Sequence, residues 1–333
     1  MPQLVSVRGP HARNNSNKIR IQWNMGNSCN YDCEYCPPVL HNGSKPWLSK
    51  EQYINAISRL SNHYHALGKQ TEYELIGGEV TVIPGFEDII KCINEHNSTS
   101  IVYTNASRTV NWWSKAKHYM NSVILTHHPQ TQEKQHFIDV INEIKDYVHI
   151  DINIAGIGGD VLRLGEFAEE IRDLFKDCNH NNYNNVSICV KTMYKKLLGR
   201  QNKQETYWQY TTEEEEVLQR PGIKQQELAQ PNTSTPDPTA WMTEFLYDDG
   251  STEYVQSHQI ADKRLNTFQG MLCHLGFESL NIDASGDMYS SWCGAVNFGN
   301  VSDKIWSLPE SKTLCPYTFC NNISDISITK TLN

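Results

Sequence analysis

Three cysteines that lie close together constrain this chain more than any other feature of its sequence. Cys29, Cys33 and Cys36 are separated by gaps of three and two residues, and they follow an alternating apolar segment at residues 19–25. Three thiolates at this spacing can ligate three irons of a cubane four-iron four-sulfur cluster. No fourth cysteine lies nearby, so one iron would stay free to bind another group. The run predicts a cluster-binding loop.

A zinc site and a disulfide pair are the alternative interpretations of this loop. Zinc needs four ligands, so the three cysteines would have to take His41 as the fourth. Disulfides suit small secreted domains, whereas this chain has 333 residues and begins without a charged and then apolar leader. No apolar run is long enough to span a bilayer. We therefore expect a cytoplasmic protein without a membrane partner, in which the ten cysteines serve metal binding more than crosslinking.

The composition sets only outer bounds. A hydrophobic content of 38% is enough for a packed core. A formal net charge of -9 gives no general electrostatic footprint for nucleic acid, so we do not expect a nucleic-acid partner.

A second motif follows a predicted strand about forty residues after the cysteines. Residues 73–76 read as a strand and run into Gly77, Gly78 and Glu79, with Val80 next. Glycines at such a position allow a ligand to approach the backbone closely. Taken alone, the tripeptide is a common turn, and its place after the second strand is what favours a binding role.

Together the two motifs resemble the signature of the radical S-adenosylmethionine (SAM) superfamily, in which an aromatic residue, here Tyr35, directly precedes the third cysteine. The resemblance implies that the open iron chelates the amino and carboxylate groups of SAM. Electron transfer from the reduced cluster would cleave SAM to methionine and a 5′-deoxyadenosyl radical that abstracts hydrogen from a substrate. In that family a Gly-Gly-Glu-Pro motif hydrogen-bonds the methionine amino group, and here Val80 replaces the proline.

Hydrophobic periodicity predicts six strands with helices between them. The strand segments are residues 19–25, 73–76, 100–105, 122–127, 149–155 and 186–194. Such alternation implies an α/β fold with parallel strands and right-handed crossovers. The resemblance implies a partial (β/α)6 parallel barrel, with chemistry at the carboxyl ends of the strands.

Residues at those strand ends are candidates for binding SAM. Asn105 follows Thr104 and resembles the Thr-Asn-Gly of the family at the end of the third strand. His127 and His128 end the fourth strand, and since adjacent strand residues face opposite ways, only one can point inward; we assign His127. Asn153, with the glycine-rich turn after the fifth strand, would contact the adenine or ribose, although a plain turn fits equally well. The predicted SAM-binding set is Tyr35, Gly77, Gly78, Glu79, Asn105, His127 and Asn153.

A second cysteine set lies near the C-terminus. Cys273, Cys293, Cys315 and Cys320 can together saturate a cubane cluster. The stretch resembles the shortened SPASM domain called twitch, although six residues separate Gly286 from Cys293 where four are usual. That resemblance implies an auxiliary four-iron four-sulfur cluster, which, being fully ligated, would relay electrons or stabilise the fold. A structural zinc bound by the four cysteines is the alternative.

The resemblance divides the chain into four segments. They are an N-terminal extension (1–17), a radical SAM barrel (18–195), an insertion over the barrel mouth (196–265) and an auxiliary iron-sulfur domain (266–333). We expect a radical SAM enzyme acting on a small molecule such as a sugar or nucleotide derivative, with flavodoxin or ferredoxin as electron donor. An enzyme that modifies a peptide or protein is the alternative, and a non-catalytic iron-sulfur or zinc scaffold is a more distant one.

Overall fold

A computed structural model of the chain describes most of its residues. They are 2–14, 17–176, 179–180, 183–184, 186–196, 206–207, 209–220, 239, 242–306, 308–309 and 312–332. Much of the predicted insertion at 196–265 therefore lies outside the described residues. In the described part of the chain, no helix combines the length and the apolar character needed to cross a membrane.

Strands and helices alternate through the first half of the chain. The strands are β1 (Leu4–Arg8), β2 (Lys18–Asn24), β3 (Gln70–Ile76), β4 (Thr99–Thr104), β5 (Ser122–His127), β6 (His149–Gly156), β7 (Asn179–His180), β8 (Tyr183–Asn184), β9 (Val186–Thr192), β10 (Tyr194–Lys196), β11 (Thr206–Tyr207), β12 (Thr243–Tyr247), β13 (Thr252–Val255), β14 (Leu272–Cys273), β15 (Ser279–Ile282), β16 (Asp287–Tyr289), β17 (Asn297–Asn300), β18 (Thr313–Leu314) and β19 (Lys330–Thr331). The helices are α1 (Pro10–Asn14), α2 (Lys50–Ala66), α3 (Phe86–Glu95), α4 (Val110–Ala116), α5 (Lys134–Ile144), α6 (Val161–Phe175), α7 (Thr212–Gln219), α8 (Ser257–Asp262) and α9 (Ile323–Ile326). Short 3₁₀ turns occupy Pro38–Leu40, Val80–Val82 and Lys117–Tyr119.

The larger sheet contains the six strands that the sequence predicts. Strands β2, β3, β4, β5, β6 and β9 lie side by side in this order, and every neighbouring pair is parallel. This confirms the α/β class and the arrangement expected of a partial (β/α)6 barrel. The carboxyl ends of the six strands therefore meet at one edge of the sheet.

One face of this sheet is covered by helices and holds the main core. Ile19, Ile21 and Trp23 of β2 alternate onto that face and are fully buried. Helix α2 buries Ile57 and Leu60 in the same core, and a capping box at its first turn satisfies its free amide groups. The alternation places the polar side chains of β2 on the opposite face.

The C-terminal part of the chain extends the same sheet. Strand β15 pairs parallel to β2 on the side away from β3, and β16 and β17 continue antiparallel beyond it. Periodicity does not predict this contact, because a four-residue strand contains too few positions to specify its partner.

A second, six-stranded sheet combines residues from distant parts of the sequence. Its order is β13-β12-β1-β19-β14-β18, with β1 antiparallel to both β12 and β19. The segment that the sequence predicts only as an N-terminal extension thus supplies an inner strand of this sheet. Val7 of β1 is fully buried beside Phe245 of β12 in a separate apolar core.

Candidate functional site

The first cysteine set lies on the loop that joins β2 to α2. Cys33 is buried, while Cys29 and Cys36 are partly exposed. Burial, together with the charges of the neighbouring Cys33 and Cys29, raises the pKa of Cys36 to about 11, so both neighbours lie within electrostatic range of Cys36. Bound metal cations would reverse this effect, because a coordinating thiol loses its proton. The donor set and its grouping fit an iron-sulfur cluster.

His41, the fourth ligand that a zinc site at this loop would need, has other partners in the structure. His41 Nε2 lies 3.2 Å from the backbone oxygen of Cys36, and Nδ1 lies 3.4 Å from Asp32 Oδ1, so both ring nitrogens have oxygen partners. Among the residues that the structure describes, neither this loop nor the C-terminal cysteines form a group of three His, Cys, Asp or Glu side chains arranged for a single metal ion. The nine described cysteines are all free; Cys178 lies outside the described residues.

Gly77 and Gly78, which follow β3, allow its end to lie in direct backbone contact with the cysteine loop. The Gly78 amide donates to the backbone oxygen of Gly26 at 3.0 Å, and the Glu79 amide donates to that of Ser28 at 3.0 Å. A Cβ on Gly78 would lie 2.2 Å from the Ser28 oxygen, and one on Gly77 would lie 2.6 Å from the Gly26 oxygen. Glycine is therefore required at both positions because two backbones touch there.

We expect Gly78→Ala to displace the cysteine loop, since the obstructing atoms belong to the backbone. The expected result is a loss of stability of roughly 2 kcal/mol or more, within the range of overpacked cores, together with reduced iron loading after reconstitution. Denaturant unfolding and iron analysis measure the two effects. Gly250→Ala is the control, because Gly250 has a φ of 83° but no atom within 4 Å of the added methyl group. Normal iron loading in the Gly78 variant would contradict the role given to this contact.

Glu79 is directed into the protein interior. It is 1% exposed, and its carboxylate accepts hydrogen bonds from the Thr81 amide (3.0 Å) and hydroxyl (2.5 Å), the Thr104 hydroxyl (2.7 Å) and the Asn105 amide (2.6 Å). Burial raises the pKa of Glu79, and these donors partly offset that effect. The side chain ties the ends of β3 and β4 together, and its contact with SAM stays a prediction.

Asn105 connects this strand end to the cysteine loop, and its predicted contact with SAM stays a prediction. Its side-chain amide donates to Asn30 Oδ1 at 3.0 Å and lies 4.0 Å from Cys29 Sγ. Its backbone oxygen accepts from Gln132 Nε2 at 2.6 Å. The next residue, Ala106, has a φ of 56°, in the left-handed region that favours the glycine of the family pattern.

Of the two adjacent histidines, His128 and not His127 faces the cysteine loop. The His128 ring stacks on Tyr35 with an interplanar angle of 3°, its Nδ1 is hydrogen-bonded to the Tyr35 hydroxyl, and the same nitrogen lies 3.5 Å from Cys33 Sγ. His127 packs against Phe137 and Phe167 under the helices. The choice of His127 is thus corrected: its alternation along β5 matches that of buried Val123 and Leu125. Burial lowers the pKa of both histidines to about 4.

For Asn153 and the turn after β6, the sequence left open whether they bind SAM or form a plain turn. Asn153 is buried and accepts a hydrogen bond from Cys189 Sγ at 3.2 Å, so its contact with SAM stays a prediction. Ile157, in the turn itself, packs with Cys33 and Tyr35 in a small apolar cluster. No pattern in the sequence predicts this contact, because an isoleucine after a strand is normally assigned to the main core.

The C-terminal cysteines also come together. Cys273, Cys315 and Cys320 are buried in the core of the second sheet, and Cys293 packs against it. Burial raises the pKa of Cys273 to about 12 and that of Cys320 to about 11, and in both cases the charge of Lys330 lowers the value in part. No motif in the sequence marks Lys330 as part of this site.

No protein-family model matches the sequence, and no curated protein matches it. Similar solved structures include BtrN in complex with AdoMet and 2-DOIA (11% identity, TM-score 0.39, covering 86% of this chain and 79% of that one). They also include native anSMEcpe with bound AdoMet (14%, 0.48, 86% and 78%) and Streptococcus suis SuiB bound to S-adenosylmethionine (14%, 0.48, 87% and 65%). At these identities and TM-scores, the function has to be inferred from the residues of the chain itself.

Proposed function

We propose that this protein is a radical SAM enzyme. The observation that carries the proposal is the grouping of Cys29, Cys33 and Cys36 on one loop whose backbone is fixed to the Gly77–Gly78 strand end. This arrangement lies at the carboxyl edge of six parallel strands, where parallel barrels carry their chemistry. Three thiolates leave one iron of a cubane cluster open, as SAM chelation requires.

The residues of the chain would hold and shield the bound groups. A cluster on Cys29, Cys33 and Cys36 would supply the electron that cleaves SAM to methionine and the 5′-deoxyadenosyl radical. The cysteine loop and the Gly77–Gly78 backbone would orient SAM, and Glu79 and Asn105 would keep that backbone in place. Tyr35 and His128 would form the apolar and aromatic side of the same site and limit access of water.

We propose a polar small molecule as substrate, because the sheet face opposite the helices is rich in hydrogen-bonding groups. On this face Arg20 pairs with Glu72 at 2.9 Å, and the Tyr103 hydroxyl donates to Glu74 at 2.6 Å. Gln22 Oε1 is buried on the same face and has no hydrogen-bond partner among the described residues, so it is an acceptor that a hydroxyl or amine of the substrate would satisfy. Such a surface suits a sugar or nucleotide derivative better than an apolar compound.

The experiment that tests the proposal is anaerobic reconstitution with iron and sulfide, followed by dithionite and SAM. Formation of 5′-deoxyadenosine is expected, and its absence in protein that carries the cluster would favour the non-catalytic scaffold. Reduced flavodoxin or ferredoxin should replace dithionite if one of them is the electron donor. Adding candidate sugars, nucleotides or peptides and following substrate-dependent formation of 5′-deoxyadenosine would separate the small-molecule and peptide alternatives.

We further propose that Cys273, Cys293, Cys315 and Cys320 hold an auxiliary four-iron four-sulfur cluster. The intact protein is then expected to bind about eight irons, and replacing Cys273 and Cys293 by alanine should halve that number. Iron and zinc analysis after anaerobic purification measures both. Uncoupled SAM cleavage should survive in the double variant while substrate turnover falls. About four irons and one zinc in the intact protein would instead show a zinc-stabilised module.

A further inference from the structure

Lys330 is a buried cation next to the four C-terminal cysteines. It is 1% exposed, and Nζ donates to three backbone oxygens, those of Asp325 at 2.6 Å, Ile326 at 3.0 Å and Ile328 at 2.7 Å. An ammonium group has three donors, so all of them are used. These partners are neutral carbonyl groups, and they orient the charge without neutralising it.

The strand pairing directs Lys330 towards the cysteines. Lys330 of β19 is the register partner of Cys273 of β14, and residues directly opposite in an antiparallel pair project to the same face. Nζ also lies 4.8 Å from the centroid of the Phe268 ring, inside the apolar core that holds Cys315 and Cys320. The charge is therefore placed among the thiols in a part of the protein that excludes water.

A buried charge is costly unless an opposite charge lies close to it. Asp325 is near enough for Lys330 to affect its pKa, but Nζ bonds the backbone oxygen of Asp325, and the Asp325 carboxylate accepts from the Ser291 hydroxyl. Four thiolates around a cubane cluster or around zinc carry a net charge of roughly -2. Because the contact of Nζ with Asp325 is to its backbone oxygen, a site of this kind would bring a larger negative charge to Lys330.

We propose that Lys330 is the counter-charge of the four-cysteine site and raises the reduction potential of a cluster bound there. The inference rests on the proposed auxiliary cluster for its redox part only. Reduction adds one electron to an already anionic complex, and a fixed positive charge beside it stabilises the reduced form. Lys330 is thus a positioning residue that acts through the cluster and need not touch substrate.

The test uses the full chain with Cys29, Cys33 and Cys36 changed to alanine, so that only the C-terminal cluster is titrated. A redox titration followed by electron paramagnetic resonance measures the reduction potential of this cluster. In Lys330→Gln the potential should be lower by about 59 mV or more, which is a tenfold change in the equilibrium constant of a one-electron couple. Lys330→Arg, which keeps the charge, should stay near the parent. Lys50→Gln is the control, since Lys50 is exposed and paired with Asp88. An unchanged potential in Lys330→Gln would overturn the proposal.

Metal loading covers the remaining outcomes. Loss of iron from Lys330→Gln but not from Lys330→Arg supports the proposal, whereas equal loss from both overturns it, because packing and not charge would then be decisive. If the parent holds zinc and no iron, the proposed auxiliary cluster is wrong. The counter-charge is then tested by zinc release to a chelator: faster release from Lys330→Gln supports it, and equal rates contradict it.

Discussion

Changing Cys29, Cys33 and Cys36 to alanine together is expected to abolish SAM cleavage while leaving iron at the C-terminal site. The three thiols are the proposed ligands of the cluster that donates the electron, and they lie outside the main apolar core: Cys33 belongs to a small separate cluster with Tyr35 and Ile157. The fold should therefore survive. Formation of 5′-deoxyadenosine under dithionite, measured against the intact protein, reports the activity, and iron analysis should give about four irons in place of eight.

A control variant separates the loss of the cluster ligands from general damage to the fold. Cys92 provides a matched control, because it is also a buried free thiol but lies in α3, where its sulfur is 3.7 Å from the Ser58 hydroxyl. Cys92→Ala should retain full SAM cleavage. Persistent 5′-deoxyadenosine formation in the triple variant would remove the basis for the proposed enzyme class.

Glu79→Ala is expected to destabilise the protein and to weaken SAM binding through the same structural change. Removing the carboxylate leaves the donors of Thr81, Thr104 and Asn105 without a partner in a buried position. Each unsatisfied buried group costs about 1–3 kcal/mol, so a loss of roughly 3 kcal/mol or more in the free energy of unfolding is expected. Denaturant unfolding measures this loss, and equilibrium dialysis measures SAM affinity, which should fall about tenfold or more as the strand end moves.

Thr104→Val is the companion variant for this prediction. It removes one of the four donors and keeps the carboxylate, but it also removes the hydroxyl oxygen that accepts from the Ala106 amide at 3.1 Å, so a loss of about 1–3 kcal/mol is expected. The observation that would contradict the structural role is a Glu79→Ala protein of normal stability with much weaker SAM binding. The carboxylate would then have to leave its interior position and contact the ammonium group of SAM directly.

The sequence predicts the barrel well because its strands repeat a simple pattern. In β2, apolar residues alternate over seven positions, which is enough to specify both a strand and its buried face. The cysteine loop and the glycines could be predicted because each needs a residue type that few other side chains can replace. The strands, the cysteine loop and the glycines each depend on residues close together in the sequence. Periodicity and spacing are properties of such local stretches, so they predict these features.

Other features depend on contacts between distant residues, and the sequence does not reveal them. The choice between His127 and His128 requires knowing which alternate residues of β5 face the core. In the structure these are Val123, Leu125 and His127. The partners of Glu79 are likewise hidden in the sequence, because Thr104 and Asn105 come from the end of the next strand. Lys330 resembles any surface lysine until strand pairing places it beside Cys273.

The second sheet has a consequence for the order in which the protein matures. Its inner strands β1 and β19 come from opposite ends of the described chain, and β14, which carries Cys273, pairs with β19. Contacts of such long sequence separation form late, after the loop between them has been closed. During synthesis on the ribosome, residues 18–192 can assemble their six strands while the partner of Cys273 has yet to emerge. Metal delivery to the C-terminal cysteines would thus follow translation of Lys330, whereas the first cysteine loop can be loaded earlier.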